Sequence, residues 1–523
     1  MTNKKIYFIT ALIAILLFGR GFDSIAQQTN FQKIFWGDTI PVYPYVMPNL
    51  GHSVSNTHDN GFIIGGMHGY YAGFYYYYGQ LIKLNSDGDT VWTCNVGDGT
   101  TNSTIIYSIK ETSDSGFIAT GASSGMLLLK LDSNGNMSWV KSYGSGSFGK
   151  DILQTADGGF VIAATIQTIG AGMNDVYVVR VNPLGDTLWT KVIGGIKNES
   201  AQCIRQTSDN GFIVSGTTVS FDSLFSYPFL FKLDSIGNLA WMKVYDVKSY
   251  SAACTVLQND TLVLSGSNGN YFLSKITPDG DSILWTKTAG TGGTNVAFDM
   301  KPTVDLGFVI IGYTMGGPPG VPNMYLVKTD FNGDTLWTRA YGEAGDDEAY
   351  SIVQANDGGF ALTGVTHILS TMQDVQLYFV KTNANGESGC HTYTTTSYIG
   401  NLNVHSNSFS PQISFGATVS NLSLIKRTVT RISPQCFSVS TDEIHETNKL
   451  KIFPNPFSNL VIIESDNTEE LQIQLYDVYL RKLFQEEFKK SIAINTSHLS
   501  NGFYVYEVLN RKGVISTGKL IKQ

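Results

Sequence analysis

The densest group of acidic residues in the middle of the chain is Glu343, Asp346, Asp347 and Glu348. Paired carboxylates can serve as acid and base on a glycosidic bond, or hold a cation. Here they fall in a link between repeated units, where other units carry Asn198-Glu199-Ser200 or Asp98-Gly99-Thr100, so a solvated loop is expected. Asn85-Ser86-Asp87-Gly88-Asp89 partly imitates a calcium loop. It has no glutamate at the twelfth position, and it recurs along the chain as a turn. His52, His58 and His68 cluster without metal-ligand spacing. No Ser-His-Asp or Cys-His arrangement can be argued. Gly316-Gly317-Pro318-Pro319-Gly320 lacks the strand-to-helix setting of a phosphate loop. No catalytic residue, metal or cofactor is therefore assigned. The most suggestive group is aromatic: Tyr70, Tyr71, Phe74, Tyr75, Tyr76, Tyr77 and Tyr78. Tyrosines can stack on sugars or anchor a protein interface, and Tyr70, Tyr71, Phe74, Tyr76 and Tyr78 are the expected ligand contacts.

The elements that must position such residues come from a repeat. A turn followed by Gly-Phe and an apolar strand occurs at Phe62, Phe117, Phe160, Phe212, Phe308 and Phe360, with a degenerate copy at Leu262. A second half, an apolar strand, a Lys, an Asn/Asp-Gly turn and a Trp strand, occurs at Trp92, Trp139, Trp189, Trp241, Trp285 and Trp337. The Gly-Phe copies recur every 43 to 55 residues or so, the range of β-propeller blades. Alternating apolar residues and β-branched or aromatic enrichment make each unit four short strands. Asp-Gly and Asn-Gly supply positive φ at the hairpin corners.

The two counts differ by one. Phe31-Gln32-Lys33-Ile34-Phe35-Trp36-Gly37 reads like Trp189-Thr190-Lys191-Val192-Ile193-Gly194-Gly195, with Phe31 in the Trp place. Residues near 29–36 are thus expected to complete a seventh blade and close the ring, which leaves no long open edge.

Composition fits such a turn-rich β protein: 523 residues, 54 glycines, 12% aromatic and only 15% charged. A net charge of −8 argues against a nucleic-acid surface. Lys4 and Lys5 precede an apolar run, Ile6 to Phe18, and Ser24-Ile25-Ala26 offers small residues for cleavage. This pattern predicts a signal peptide over 1–26. The run is shorter than the roughly 20 residues of a spanning helix. Residues 393–445 form a Ser/Thr-rich connector, bracketed by Cys390 and Cys436, the expected disulfide in an oxidising compartment. Cys94, Cys203 and Cys254 fall in or beside strands and are expected to be buried.

From about 449 the repeat vanishes, and seven short strands suggest a small β-sandwich. This stretch carries Ile452-Phe453-Pro454-Asn455-Pro456-Phe457, then Leu499-Ser500-Asn501-Gly502-Phe503-Tyr504, then Gly518-Lys519-Leu520-Ile521-Lys522-Gln523. In motif order and spacing it resembles the C-terminal sorting domain of the type IX secretion system of Bacteroidota. The resemblance implies sorting residues Pro454, Asn455, Pro456, Gly502, Tyr504, Gly518 and Lys519. It also implies export through the periplasm to the outer surface or medium, with the type IX machinery as partner. In that family the domain is commonly removed and the passenger released or attached to surface lipopolysaccharide. The repeats resemble the propeller passengers often joined to such domains, and more loosely quinoprotein blades, whose quinone-binding residues are not recognisable here.

The expected architecture is all-β: a seven-bladed propeller over 27–392, the connector, and an Ig-like sandwich over 446–523. The expected function is a secreted or surface protein binding a glycan or protein. The alternative is a secreted hydrolase or lyase acting on polysaccharide, which needs carboxylates or histidines that break the repeat and converge at the central channel.

Overall fold

The computed structural model describes residues 30–35, 48–71, 75–97, 103–222, 224–317, 320–342, 345–367, 375–389, 391–395, 398–414, 419–421, 425–427, 432–438, 450–453, 457–465, 470–477, 482–500, 502–510 and 513–522. The expected signal peptide lies outside them. Among the described residues every regular element is a strand, and the chain divides into two units, 1–439 and 440–523.

The first unit is a β-propeller. Its strands form seven five-stranded antiparallel sheets. In chain order the innermost strands are Asn49–Asn56, Ile105–Glu111, Ser147–Gln154, Glu199–Gln206, Ala253–Val256, Asn295–Pro302 and Asp347–Gln354. Each touches the next, and the seventh touches the first, so the sheets close into a ring. In the seventh sheet the place held elsewhere by the Trp strand is taken by Asn30–Phe35, antiparallel to Val375–Lys381.

Two devices built from the repeat hold the ring. The first packs one sheet on the next. The turn glycines Gly135, Gly185, Gly237, Gly280, Gly333 and Gly386 have positive φ. A Cβ on each would strike the indole of the preceding sheet's Trp. Gly88 meets the Phe31 ring in the same way. These glycines thus serve both the turn and the close approach of an aromatic plane. The second device is ionic. Each Gly-Phe turn carries an aspartate that accepts from the amide two residues on and from a strand Lys or Arg. The pairs include Lys83–Asp59 at 2.8 Å, Arg180–Asp157 at 2.5 Å and Lys381–Asp357 at 2.6 Å. In five of these six turns the cation also donates to a backbone carbonyl, as Lys83 does to Leu84 at 2.9 Å. In the fifth sheet Asn259 replaces the aspartate, and Lys275 lies 3.4 Å over the Phe331 ring instead.

The segment expected to be a connector builds the fifth strand of every sheet. Thr392–Thr394 pairs with the sixth sheet, Tyr398–Asn401 with the fifth and Ser406–Ser408 with the fourth. Gln412–Ser414 joins the third, Val419–Asn421 the second and Ile425–Arg427 the first. Ile432–Ser438 then covers Asn30–Phe35 in the seventh. The chain circles the ring backwards as a belt and caps each outer edge, where unpaired backbone groups would otherwise invite association. Cys390 lies outside the described residues. Cys436 pairs with Gln32 in the belt.

The second unit packs a three-stranded sheet (Leu450–Phe453, Leu460–Ser465, Ser491–Asn495) with a four-stranded one (Lys482–Phe488, Leu471–Asp477, Gly502–Asn510, Gly513–Lys522). Its core includes Phe457, Ile463, Ile473, Leu475, Tyr504 and Leu520.

Candidate functional site

The antiparallel order sends the repeat-obeying turns to one end of the ring. The inner-to-second turns, such as 57–61, and the Asn/Asp-Gly turns, such as 85–89, share that end. Asn85 Oδ1 accepts from the amides of Asp87 at 3.0 Å and Asp89 at 2.7 Å. The oxygen that a cation would need is thus spent on its own turn. The opposite end gathers everything that varies: the second-to-third loops and the links to the next inner strand.

The tyrosine insertion is at this variable end. Phe62–Tyr71 and Tyr75–Leu84 form an extended hairpin, with Tyr70 opposite Tyr76 and Tyr71 opposite Tyr75. Tyr76 and Tyr77 are half-buried. Phe74 lies outside the described residues. Tyr78, expected among the ligand contacts, is 4% exposed, and its ring fills the space over Gly97. That corrects its assignment: alternation along the strand turns it into the sheet packing.

The acidic cluster is split. Asp347 is buried at the start of the seventh inner strand. Glu348 is half-buried, and burial pushes its carboxyl up, against a 2.9 Å hydrogen bond from the Tyr350 hydroxyl. Asp346 offers its backbone carbonyl to His367. Glu343 lies outside the described residues.

The larger convergence is one that the motifs did not reveal. Six inner strands carry a β-bulge near their start. A bulge frees one residue from the ladder and re-aims its side chain. The freed residues are His52, Tyr107, Lys150, Gln202, Phe298 and Tyr350, and all six line one cavity on the ring axis. Four are aromatic and form a continuous arc. The His52 ring lies 5.1 Å from Tyr107 and 5.7 Å from Tyr350. Phe298 lies 5.2 Å from Tyr350 and 6.0 Å from Tyr313. Lys150 Nζ sits 4.1 Å over the Tyr107 ring. Burial and the nearby Lys150 lower the His52 imidazole to about 4, so it is neutral at pH 7.

The next residues along the same strands supply charge. Asp151 accepts from Arg205 at 2.6 Å, from the Ser108 hydroxyl at 3.1 Å and from the Ile204 amide at 3.2 Å. Burial would raise its carboxyl, but Arg205, Lys110 and Lys301 hold it below the usual range. Asp299 accepts from Lys301 and from the amides of Met300 at 2.8 Å and Ile352 at 3.1 Å.

A second hollow, about 600 Å³, opens at the variable end beside the irregular fifth unit. Phe225, Lys248, Tyr250, Asn268 and Thr294 line it, with Leu402 from the belt. Tyr250 is 79% exposed, and Lys248 Nζ lies 3.2 Å over the Phe225 ring. Gln202 connects the two places: its amide nitrogen donates to the Tyr250 carbonyl at 3.1 Å and its oxygen accepts from the Ala252 amide.

In the second unit, Gly502 opens a strand with φ of 150°. Tyr504 packs on Phe457 at 6.1 Å and donates to the Ser500 carbonyl at 2.5 Å. Gly518 pairs with Tyr506 and Lys519 with Val505. Lys522 donates to the carbonyls of Ser458 and Thr496 at 2.7 and 2.6 Å. Pro454, Asn455 and Pro456 lie outside the described residues.

Comparison with known proteins finds a family match for the second unit. Residues 451–523 match the family described as "Secretion system C-terminal sorting domain". An uncharacterized WD repeat-containing protein of Acanthamoeba polyphaga mimivirus is 26% identical over 157 residues. The match takes in 27% of this chain and 11% of that relative. Among solved structures, the Dos1 propeller is 12% identical, with a TM-score of 0.40 over 68% of this chain and 96% of its own. The extracellular domain of the one component system BT4673 from B. thetaiotaomicron is also 12% identical. Its TM-score is 0.40, over 91% of this chain and 56% of that one. The chain is a propeller passenger carrying a type IX sorting domain. Its C-terminal sorting domain marks it for export to the cell surface or secretion.

Proposed function

We propose that this is a secreted or surface-attached binding protein whose variable end takes an extracellular glycan or protein. One observation carries the reading. The residues that break the repeat gather at one end of the ring, around the bulge-lined mouth of the channel. Repeat-obeying turns occupy the other end. Tyr70, Tyr71, Phe74 and Tyr76 of the tyrosine insertion would be further ligand contacts. The leader over 1–26 would bring the chain to the periplasm. After sorting, the passenger would be released or attached to surface lipopolysaccharide.

The hydrolase or lyase alternative gains two carboxylates, Asp151 and Asp299, which line the channel and break the repeat. Both already face a cation and backbone amides. Each is thus engaged in holding the channel wall together, so binding is the better-supported reading. The test is a glycan array and a polysaccharide panel probed with the full chain. Retention on a defined set of glycans without release of products is expected. Products accumulating from any polysaccharide would transfer the assignment to the enzyme.

A further inference from the structure

We propose that the channel mouth is an oxyanion site that takes a carboxylate or sulfate group of an acidic polysaccharide through Lys150 and Lys110. This rests on the binding reading above. Four cationic side chains line the cavity: Lys110, Lys150, Arg205 and Lys301. Two carboxylates face them, and these are taken: Asp151 by Arg205 and Asp299 by Lys301. Among the described residues, Lys110 and Lys150 have no carboxylate within ion-pair distance. Lys110 donates to the Ser55 hydroxyl at 3.2 Å. Lys150 rests over Tyr107 and Phe148 at 4.1 and 5.1 Å. An ammonium group withdrawn from water with no carboxylate in contact is costly, and for Lys110 the more distant Asp151 and Asp299 offset that cost only in part. Burial lowers both lysines, Lys150 to about 8. An anion entering the mouth would relieve that cost. The positive charge is local, because the whole chain carries −8.

The size of the cavity and its rim narrow the ligand. At about 100 Å³ it has room for several waters or one oxyanion group, while a polysaccharide chain must stay outside. There it would meet Tyr107, Tyr350 and Phe298, whose flat faces suit sugar rings. The ligand is then a saccharide that presents one acidic substituent inward.

Isothermal titration of the full chain at low salt tests this with four probes: oligogalacturonate, a chondroitin sulfate oligosaccharide, a neutral cello-oligosaccharide and sodium sulfate. The acidic oligosaccharides are expected to bind at pH 7. They should bind at least tenfold more weakly at pH 9, above the Lys150 value, and in the Lys110→Met/Lys150→Met variant. Lys150→Arg, which keeps its charge at pH 9, should restore binding there, and melting curves establish that each variant folds. If sodium sulfate competes as tightly as the sugars bind, the oxyanion chemistry holds and a free anion is the occupant. Undiminished binding in the double Met variant, or none of the anions binding, overturns the proposal. Retention of a neutral glycan that ignores the lysine changes would overturn it while leaving the binding reading intact.

A separate observation concerns sulfur. Cys203 and Cys254 stand on the inner strands of the fourth and fifth sheets with their Sγ atoms 2.6 Å apart. Non-bonded heavy atoms pack at about 3.5–4 Å, whereas a disulfide spans about 2.05 Å. The geometry points to a Cys203–Cys254 disulfide, formed during passage through the periplasm by a dithiol oxidase in its disulfide form. One cysteine thiolate attacks an oxidase sulfur, giving a mixed disulfide and releasing the oxidase's other sulfur as a thiolate. The second cysteine thiolate then displaces the remaining oxidase sulfur. The chain loses two protons and two electrons, and the oxidase leaves as a dithiol. Mass spectrometry of the exported chain, alkylated under denaturing conditions without reductant, should find the two cysteine peptides joined and separable by reduction. Complete alkylation of both, or linkage of either to another cysteine, overturns the assignment.

Discussion

Charge placement at single residues sets how the molecule responds to pH. The Thr155 hydroxyl and Arg180 lower the Asp157 carboxyl to about 2. Lys232 and the Thr207 hydroxyl do the same for Asp209. Because folding depresses both below the ordinary 3.8, their stabilisation is present above about pH 4. It is lost as the pH falls through 2. Both carboxylates are more than half exposed, so each contributes modestly, roughly 0.2–1 kcal/mol. Melting temperature should fall between pH 4 and 2, and Asp157→Asn with Asp209→Asn should flatten that slope. A slope unchanged by the pair would show that these turns do not carry the acid sensitivity. Lys150 gives the same sign of pH dependence in a different window, because here it is the charged form that folding disfavours. Its folded value lies below the unfolded one, so the stability of the unliganded chain should rise from pH 8 toward 10.5. Much at this scale is readable from sequence, since the turn Asp and strand Lys recur. The channel residues are not. His52, Tyr107, Lys150, Gln202, Phe298 and Tyr350 fall in one column when the units are aligned on their Gly-Phe turns. That column varies in charge and size, and the bulge that aims it inward leaves no mark in composition or period.

Among the elements, the four core strands of each unit could be read because their alternation and turn residues agree. The belt could not. Its strands in sheets one to six are three or four residues long, too short to show a period. Their partners lie far away in sequence, so nothing local specifies the pairing. What specifies it is the row of free backbone groups on each outer strand. A chain ending at residue 390 would expose all seven outer edges. Light scattering and size exclusion should show such a chain associating where the full chain does not. A monodisperse product would mean that the belt is dispensable for solubility. Packing between sheets is checked separately: Trp337→Ala removes an indole lying against Gly386. It should cost roughly 2–4 kcal/mol in denaturant unfolding, less than a fully buried Trp, because this ring is partly exposed.

At the scale of the whole molecule, the two units divide the work. The second carries the export signal, and on the binding reading the first presents a surface. Deleting 450–523 in the native host should hold the passenger in the periplasm, as read by fractionation and surface proteolysis. Surface display at the wild-type level would refute the role of the tail. The address was legible because a secretion receptor reads fixed motifs in a fixed order. The channel was not, because a propeller lines it from distant places in the chain.

The belt's pairings also suit a stepwise assembly. Its pairings begin with near neighbours, Tyr393 beside Ala340, and end with remote ones, Lys426 beside Val96 and Phe437 beside Phe31. Each strand that docks anchors the chain next to the following sheet, so the wrap can advance one sheet at a time, like a zip drawn backwards. Closing the first-sheet contact directly would cost about 1.5 kcal/mol more loop entropy than closing the sixth. Sequential docking replaces that long closure with a series of short ones. On that route the last contact to form would be Ile432–Ser438 against Asn30–Phe35, which closes the seventh sheet.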